Sequence, residues 1–323
     1  MQTPNVSVVT EFQLLGFQTL QEWQTLFFTI FLVIYLLTLT GNIVIIAVVS
    51  QDRRLHFPMY MFLQHLSFLE IWYTSTIVPL LLANLTSWGR AISFSACMAQ
   101  LYFFVFLGAT ECFLLAMMAF DRYLAICSPL HYPFLMSPDT CRHLVALCWL
   151  TGVGTGFLPS MMISQLDFCG PNQINHFFCD LPPLMQLSCS SAHVTEMAIF
   201  VLSVAVLCVC FLLTLVSYVF IMSSILRIPS ASGLRKTFST CGSHLAVVTI
   251  YYGTMISMYV HPSAHLSPEI NKIISVFYTV VTPLMNPVIY SLRNKDFKEA
   301  VRKAIRRQRG HCGVGVRGQV FIR

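Results

Sequence analysis

Two carboxylates stand where carboxylates are costly. Glu70 and Glu111 each lie inside a long apolar run, with no base close by in sequence. Ionised and alone in hydrocarbon they would be expensive, so they either stay protonated or share a cation between their oxygens. A second chemistry marks Asp121-Arg122-Tyr123, which ends an apolar run that begins near Phe94. At a membrane–water boundary Arg122 can pair with Asp121 and still reach a partner outside the bilayer. The third reactive set is sulfur: Cys97, Cys169, Cys179 and Cys189 out of 12 cysteines fall on one side of the apolar runs. An even number of thiols in an oxidising compartment reads as two disulfides, and four cysteines permit three connectivities. His176 precedes Cys179 by three residues, a spacing that a metal could use, but the disulfide reading is the stronger one. No nucleophile–base pair or metal-ligand cluster gathers around one cavity, so an enzyme is not expected.

These residues need a membrane to position them. The chain of 323 residues is 56% hydrophobic and 10% charged, against about 25% charged in soluble proteins, and its mean hydropathy is +0.71. Seven segments approach the ~20 apolar residues that cross a bilayer: 24–49, 58–84, 95–126, 142–164, 195–226, 237–260 and 270–292. The fold class is an all-α membrane protein, a seven-transmembrane helix bundle with a short amphipathic cytoplasmic helix. Of 19 basic residues only Arg90 and Lys272 fall on the side of the amino terminus. The excess of Lys and Arg marks the cytoplasmic side, which places the amino terminus outside and the carboxyl terminus inside. The net charge of +6 is thus sorted by membrane side and does not point to nucleic acid.

The organisation that follows is an extracellular segment 1–22, a bundle 23–293, an amphipathic juxtamembrane helix 294–308 and a disordered tail 309–323. Residues 1–22 have no basic or apolar core, so the first helix is expected to act as its own insertion signal. Asn5-Val6-Ser7 is an outward sequon open to glycosylation; Asn84-Leu85-Thr86 lies too close to the membrane. Gly152, Gly154 and Gly156 predict close packing of the fourth helix. Pro79, Pro283 and Asn286-Pro287 predict kinks. In the tail helix Phe297, Ala300, Val301, Ala304 and Ile305 share a face flanked by Lys298, Lys303, Arg306 and Arg307, a pattern suited to anionic membrane lipids. Cys312 beyond it is a candidate for palmitoylation.

Several motifs together resemble a family. They are Gly41-Asn42, Leu55 to Tyr60, Leu66 to Glu70, Met118 to Cys127, Pro129 to Pro133, Lys236 to Leu245 and Pro283 to Asn294. Over residues 10–308 the chain resembles the vertebrate olfactory (odorant) receptors of the rhodopsin-like G-protein-coupled fold, tetrapod-type class, sixth family. The resemblance implies a Cys97–Cys179 disulfide, leaving Cys169–Cys189 as the second. It implies a polar core of Asn42, Glu70, Glu111 and Asn286 that could hold a structural sodium ion. Many relatives carry Asp where Glu70 stands, and the longer side chain alters that geometry. No other cofactor is expected.

The resemblance also implies a ligand pocket in the outer half of the bundle. Helical periodicity selects Phe104, Val105, Gly108 and Ala109; Leu202, Ser203 and Val206; Tyr252, Ile256 and Tyr259; and Tyr278 and Thr279. Such a lining suits a small, uncharged, mostly apolar volatile molecule. Asp121, Arg122, Tyr123, Tyr218, Arg235, Lys236 and Tyr290 are the expected coupling residues for a stimulatory, olfactory-type heterotrimeric G protein that raises cyclic AMP. Phe104 and Arg122 are roughly 27 Å apart along the helix, so coupling requires a bundle with two states that each partner binds unequally. The expected location is the plasma membrane, in the cilia of olfactory sensory neurons. The alternative is a ligand-gated channel or transporter, disfavoured by the lack of a repeat in two halves.

Overall fold

In the computed structural model the described residues are 9–17, 22–86, 91–169, 171–190, 192–227, 231–259, 267–293 and 297–306, with side chains described throughout except at 231–241, 243, 259 and 290–293. Six helices are long and apolar enough to cross a membrane: Gln24–Gln51, Pro58–Leu85, Phe94–Cys127, Pro138–Ser164, His193–Ile225 and Pro268–Ile289. A further helix, Ala231–Tyr259, contains the apolar stretch His244–Met258 and completes the bundle of seven. They are called the first to seventh helices in chain order, with the seventh running Pro268–Arg293.

Local chemistry fixes where the helices begin. Ser93, Ser137 and Ser267 each accept a hydrogen bond from a backbone N–H three residues on, satisfying a donor that the first turn leaves open. Proline follows at 138 and 268 and also opens the second helix at 58, where its missing N–H costs nothing. The cap at Ser137 explains why the fourth helix starts four residues before the expected 142. The sixth starts six residues before the expected 237, because its polar first turns remain helical beyond the apolar stretch.

Two glycines set helix spacing on the fourth helix. A Cβ at Gly156 would meet the Phe106 backbone nitrogen at 2.8 Å, and one at Gly152 would overlap the Thr110 hydroxyl. A Cβ at Gly154 would meet no atom of the described residues within 4 Å outside its own turn of helix. Gly154 lies two residues from each and therefore on the other side of the helix, so the expectation of close packing is corrected for it. Trp149 extends the same contact, lying 5.8 Å from the Phe106 ring and 6.3 Å from Trp72.

The seventh helix carries a π-helical turn, Phe277–Val281, where the Thr282 N–H reaches Phe277 O. It lies just before Pro283, which has no N–H to offer. The irregularity therefore precedes the two prolines rather than being confined to them.

A three-stranded sheet covers the end of the bundle that holds the amino-terminal segment, an element that the sequence patterns did not announce. Glu11–Leu14 lies between Ala91–Ser93, antiparallel with Phe12 opposite Ile92, and Gln173–Ile174, parallel with Leu14 beside Ile174. Phe12 and Leu14 alternate inward and are fully buried. They join Ile92, Leu101, Ile163, Phe168 and Leu184 in a second core separate from that of the bundle. Asn84 donates to Leu14 O at 2.9 Å and is buried, so its amide is engaged in the fold rather than presented as a glycan acceptor. Gly16, at φ 55°, turns the chain against the Asn84 side chain where a Cβ would collide.

At the opposite end, helix 297–306 buries Phe297 and Ala300 while Lys298, Arg302, Lys303 and Arg306 are exposed. Ile305 is 47% exposed, so the expected apolar face is divided between bundle and surroundings. Asp52 fastens this helix to the first inner turn. It accepts from Arg54 at 3.1 Å and lies 3.7 Å from Lys303, while Arg54 reaches Glu299 at 3.7 Å. The Arg54 guanidinium holds the Asp52 carboxyl down to about 2.

Candidate functional site

The half of the bundle beneath the sheet contains a cavity of about 70 Å³, smaller than the ~300–1,000 Å³ of drug-sized ligand sites, so it has room only for a small molecule. The third helix supplies Phe104, Val105, Gly108, Ala109 and Cys112; the fifth supplies Leu202, Ser203, Val206 and Leu207. Thr155 and Pro159 enter from the fourth helix, Leu181 from the loop above and Met255 from the sixth. Thr155 spends its proton on Thr151 O at 2.8 Å. The Ser203 hydroxyl has no hydrogen-bond partner among the described residues and is the polar group left to orient a ligand.

The structure brings seven of the twelve periodicity-selected residues to this cavity: Phe104, Val105, Gly108, Ala109, Leu202, Ser203 and Val206. The others are placed differently. Tyr252 is buried and donates to Cys112 O at 3.2 Å, and Ile256 packs against the main core. Tyr278 shares a hydrogen bond with Ser275 at 3.0 Å and donates to Asp180 at 3.4 Å, while Thr279 donates to Ser275 O at 2.6 Å. The Tyr259 side chain lies outside the described residues. Periodicity missed Thr155 and Pro159 because the fourth helix had been assigned to packing alone. Cys112 and Met255 continue the selected faces by one turn and were within its reach.

The roof of the cavity is the loop between the fourth and fifth helices. Cys97 is joined to Cys179 and Cys169 to Cys189. Phe177, Phe178, Asp180 and Leu181 are buried. The Phe178 ring lies 4.9 Å from Phe104, and Gln100 accepts from the Cys179 N–H at 2.9 Å. His176, 1% exposed, meets Ser275 of the seventh helix at 3.2 Å. Burial, reinforced by the Lys272 ammonium, pushes its pKa down to about 3.

Below the cavity the four expected polar-core residues come together, all 0–1% exposed. Asn286 donates to Glu70 Oε1, and Asn42 donates to Thr38 O at 3.0 Å and Pro283 O at 3.4 Å. Among the described residues Glu70 Oε2, both Glu111 carboxyl oxygens, Asn42 Oδ1 and Asn286 Oδ1 have no donor in ordinary ionisation, while the Glu70 and Glu111 carboxyls lie close enough to share a hydrogen bond if one of them carries a proton. Each is an acceptor in ordinary ionisation, and orphaned acceptors are costly when buried. An oxygen-only set of this kind fits a hard cation. No group of three or more His, Cys, Asp or Glu side chains gathers as a metal site among the described residues.

At the end of the bundle opposite the sheet Asp121 is 1% exposed and accepts from Tyr132 at 2.8 Å. Among the described residues no ion pair joins Asp121 to Arg122, contrary to the pairing expected at this boundary. Tyr132, on the short helix Tyr132–Leu135, supplies a neutral hydrogen bond instead. Burial and the nearby Asp121 carboxylate push the Tyr132 phenol up. Tyr123 packs 5.7 Å from Phe220. Tyr218 meets His244 Nδ1 at 2.6 Å, linking the fifth and sixth helices. The side chains of Arg235, Lys236 and Tyr290, and residues Asn5, Arg90 and Cys312, lie outside the described residues, as does the tail 309–323.

Comparison with known proteins gives this arrangement its context. Residues 31–308 match the family described as Olfactory receptor. The chain is 78% identical to Olfactory receptor 11L1 of Homo sapiens over 314 residues, 97% of each chain. It is 50% identical to the human Olfactory receptor 6N1, covering 95% of this chain and 98% of the relative, and 48% identical to the human Olfactory receptor 6Y1, covering 98% and 97%. The chain therefore belongs to the olfactory receptor family: it is a multi-pass membrane protein and an odorant receptor that couples to G proteins, not an enzyme.

Proposed function

We propose that this receptor binds a small, uncharged, mostly apolar odorant in the cavity between the third, fourth and fifth helices. The single observation that carries the reading is the cavity's composition: Phe104, Val105, Leu202, Val206 and Met255 form an apolar shell around one uncommitted hydroxyl, Ser203. Shape and dispersion select the hydrocarbon part, and Ser203 orients one oxygen function. No lining residue is basic, so a carboxylate ligand would lie uncompensated there.

Signalling runs from this cavity to the inner end, where Asp121, Arg122, Tyr123 and Tyr218, with Arg235, Lys236 and Tyr290, form the proposed contact region for a stimulatory, olfactory-type G protein. Ligand draws the outer ends of the fifth and sixth helices together. The inner end of the sixth, tied to the fifth through Tyr218 and His244, then moves away from Arg122. The product of coupling is a rise in cyclic AMP. The amino terminus faces outside with a glycan on Asn5, and the receptor acts at the plasma membrane, in cilia of olfactory sensory neurons. The division into an outer segment 1–22, bundle 23–293, lipid-facing helix 294–308 and tail 309–323 belongs to the same reading.

The polar core supports a role between the two ends. Glu70, Glu111, Asn42 and Asn286 would hold a sodium ion, which supplies positive charge to acceptors that lack a donor. Sodium would then favour the state in which these four residues stay together.

The experiment is a screen of volatiles for cyclic AMP in cells carrying a trafficking chaperone. Wild type responds to a subset of uncharged volatiles, and Arg122→Ala removes every response at unchanged surface level. Cyclic AMP output that survives Arg122→Ala rejects the coupling scheme, and agonist-evoked current without any G protein favours a channel.

A further inference from the structure

We infer that ligands reach the cavity sideways from the bilayer, through a gap between the fourth and fifth helices, rather than downward from water. The inference rests on the cavity proposed above as the odorant site and concerns how that site is filled.

The path from water is closed by side chains rather than by backbone alone. Leu181 forms part of the cavity wall from above and is 3% exposed. Around it Phe177, Phe178 and Cys179 are fully buried. Phe178 seats on Phe104, and Tyr278 approaches Phe104 from the seventh helix at 6.1 Å. The Cys97–Cys179 bond and the Gln100 hydrogen bond pin this lid to the third helix. Descent from the outer solution would require the second core beneath the sheet to open.

The side wall is different. Thr155 borders the cavity, yet its neighbours one turn away on the same helical row, Thr151 and Leu158, are exposed on the bundle surface. On the fifth helix Leu202 borders the cavity, while Ala205 and Val209 on its row are exposed. Cavity lining and lipid-facing surface therefore meet along one seam. Gly154, beside Thr155, adds no side chain to that wall, and even a Cβ there would meet no other described element within 4 Å. The seam is also dry in character. The hydroxyls of Thr151 and Thr155 are donated to carbonyls of their own helix, so an apolar molecule passing between them strips no water-seeking group.

The chemistry of the ligand favours the same route. Each methylene enriches a solute in hydrocarbon by about fourfold, so a volatile of the size that fits the cavity is far more concentrated in the surrounding lipid than in water. A side opening draws on that pool, whereas a lid facing water does not.

Cys112, a native thiol on the cavity wall, reports the route without any agonist. Full-length receptor in phosphatidylcholine nanodiscs is treated with N-ethylmaleimide, which is neutral and enters lipid, or with trimethylammonioethyl methanethiosulfonate, which is charged and stays in water. Modification of Cys112 is followed by peptide mass, with Cys208, exposed on the lipid-facing side of the fifth helix, as internal reference for the maleimides. Side access predicts that the maleimide modifies Cys112 and the charged reagent does not, and that N-butylmaleimide reacts faster than N-ethylmaleimide. It also predicts that Leu158→Trp, at the lip of the seam, slows Cys112 modification roughly tenfold by obstructing encounter while Cys208 is unaffected. Equal reach of the charged reagent overturns the inference. So does an unchanged rate in Leu158→Trp together with a faster one in Phe178→Ala, which loosens the lid. Should Leu158→Trp not fold, the comparison of reagents on the wild-type chain decides alone. A receptor deaf to all volatiles in the cyclic AMP screen would reject the odorant site and leave the labelling result intact, so the two failures are distinguishable.

Discussion

The outer cap and the mid-membrane polar core are both buried, but they are built on opposite principles. In the cap, polar groups find partners: Asn84 meets Leu14 O, Gln100 meets the Cys179 N–H, and Asn172 meets Glu11 O. Two disulfides and a sheet hold it in one arrangement. In the core, among the described residues, five side-chain oxygens of four residues have no donor in ordinary ionisation. A region with most groups satisfied, as in the cap where His176 Nδ1 is the exception among the described residues, has one good packing. A region with several acceptors and few donors has no strongly preferred one, and a cation, a proton or a helix shift can reorder it at modest cost. On the proposed reading, the difference gives shape recognition to the half of the bundle under the sheet and change of state to its middle.

The largest effect expected from breaking this contrast is on the cap. Cys97→Ala removes a link across 82 residues of chain and should cost about 2–5 kcal/mol, read as a large fall in melting temperature and surface level. Cys169→Ala opens a loop of 20 residues and should cost less by the same reasoning. A larger loss from Cys169→Ala would show that the outer loop, not its attachment to the third helix, carries the cap.

The polar core should respond in the opposite sense. Glu70→Leu strands the Asn286 amide that now donates to Glu70 and should destabilise by about 1–3 kcal/mol. Glu111→Leu removes two acceptors that find no donor in ordinary ionisation among the described residues and that crowd the Glu70 carboxyl; in sodium-free choline buffer it should melt no lower than wild type, while signalling is impaired. Sodium should raise the melting temperature of wild type and not of Glu111→Gln. Equal destabilisation by the two leucine variants would mean that both acids are satisfied alike, and the contrast with the cap would fall.

A third test uses acid. His176 is neutral when buried, with a pKa near 3 against an ordinary 6.5. The unfolded chain therefore binds more protons between these values, and stability from this residue is complete above about 6.5 and declines as pH falls toward 3. The facing groups are the Lys272 ammonium, which opposes protonation, and Ser275, with Asp180 reached through Tyr278. Between pH 7 and pH 5.5 the wild type should lose about 1 kcal/mol relative to His176→Asn. Parallel melting curves for the two proteins across this range would remove His176 from the account.

These regions were unequally legible in the sequence. The seven helices could be read because a bilayer admits little else: runs of about 20 apolar residues must be helical, and Ser-Pro at 137–138 and 267–268 marks two of the starts. Glu70 and Glu111 were visible for the same reason, since charge stands out against hydrocarbon. The sheet was not. Its strands are two to four residues long and come from three distant stretches, so pairing rather than local pattern creates them. The cavity was half legible. Periodicity states which residues of one helix share a face, and that found the third- and fifth-helix walls. It does not state which neighbour a face meets, so Tyr252, Tyr278 and Thr279 were assigned to the cavity and Thr155 and Pro159 were not selected.

The smallest expected effect bears most directly on recognition in the outer half. Ser203 offers one hydroxyl in an otherwise apolar shell, and a neutral hydrogen bond of this kind is worth about 0.5–1.5 kcal/mol. Ser203→Ala should therefore raise the half-maximal concentration of an alcohol, aldehyde or ketone agonist by about two- to tenfold and leave an agonist without oxygen unchanged. Gly108→Ala provides the complementary test, because its added Cβ would sit 3.6 Å from the Met255 methyl. That is ordinary contact, so the fold tolerates it while the cavity loses the volume of a methyl group. Longer agonists should then weaken relative to shorter ones, with surface level unchanged. If Ser203→Ala instead weakens oxygenated and oxygen-free agonists alike, the hydroxyl is shaping the wall rather than reading the ligand.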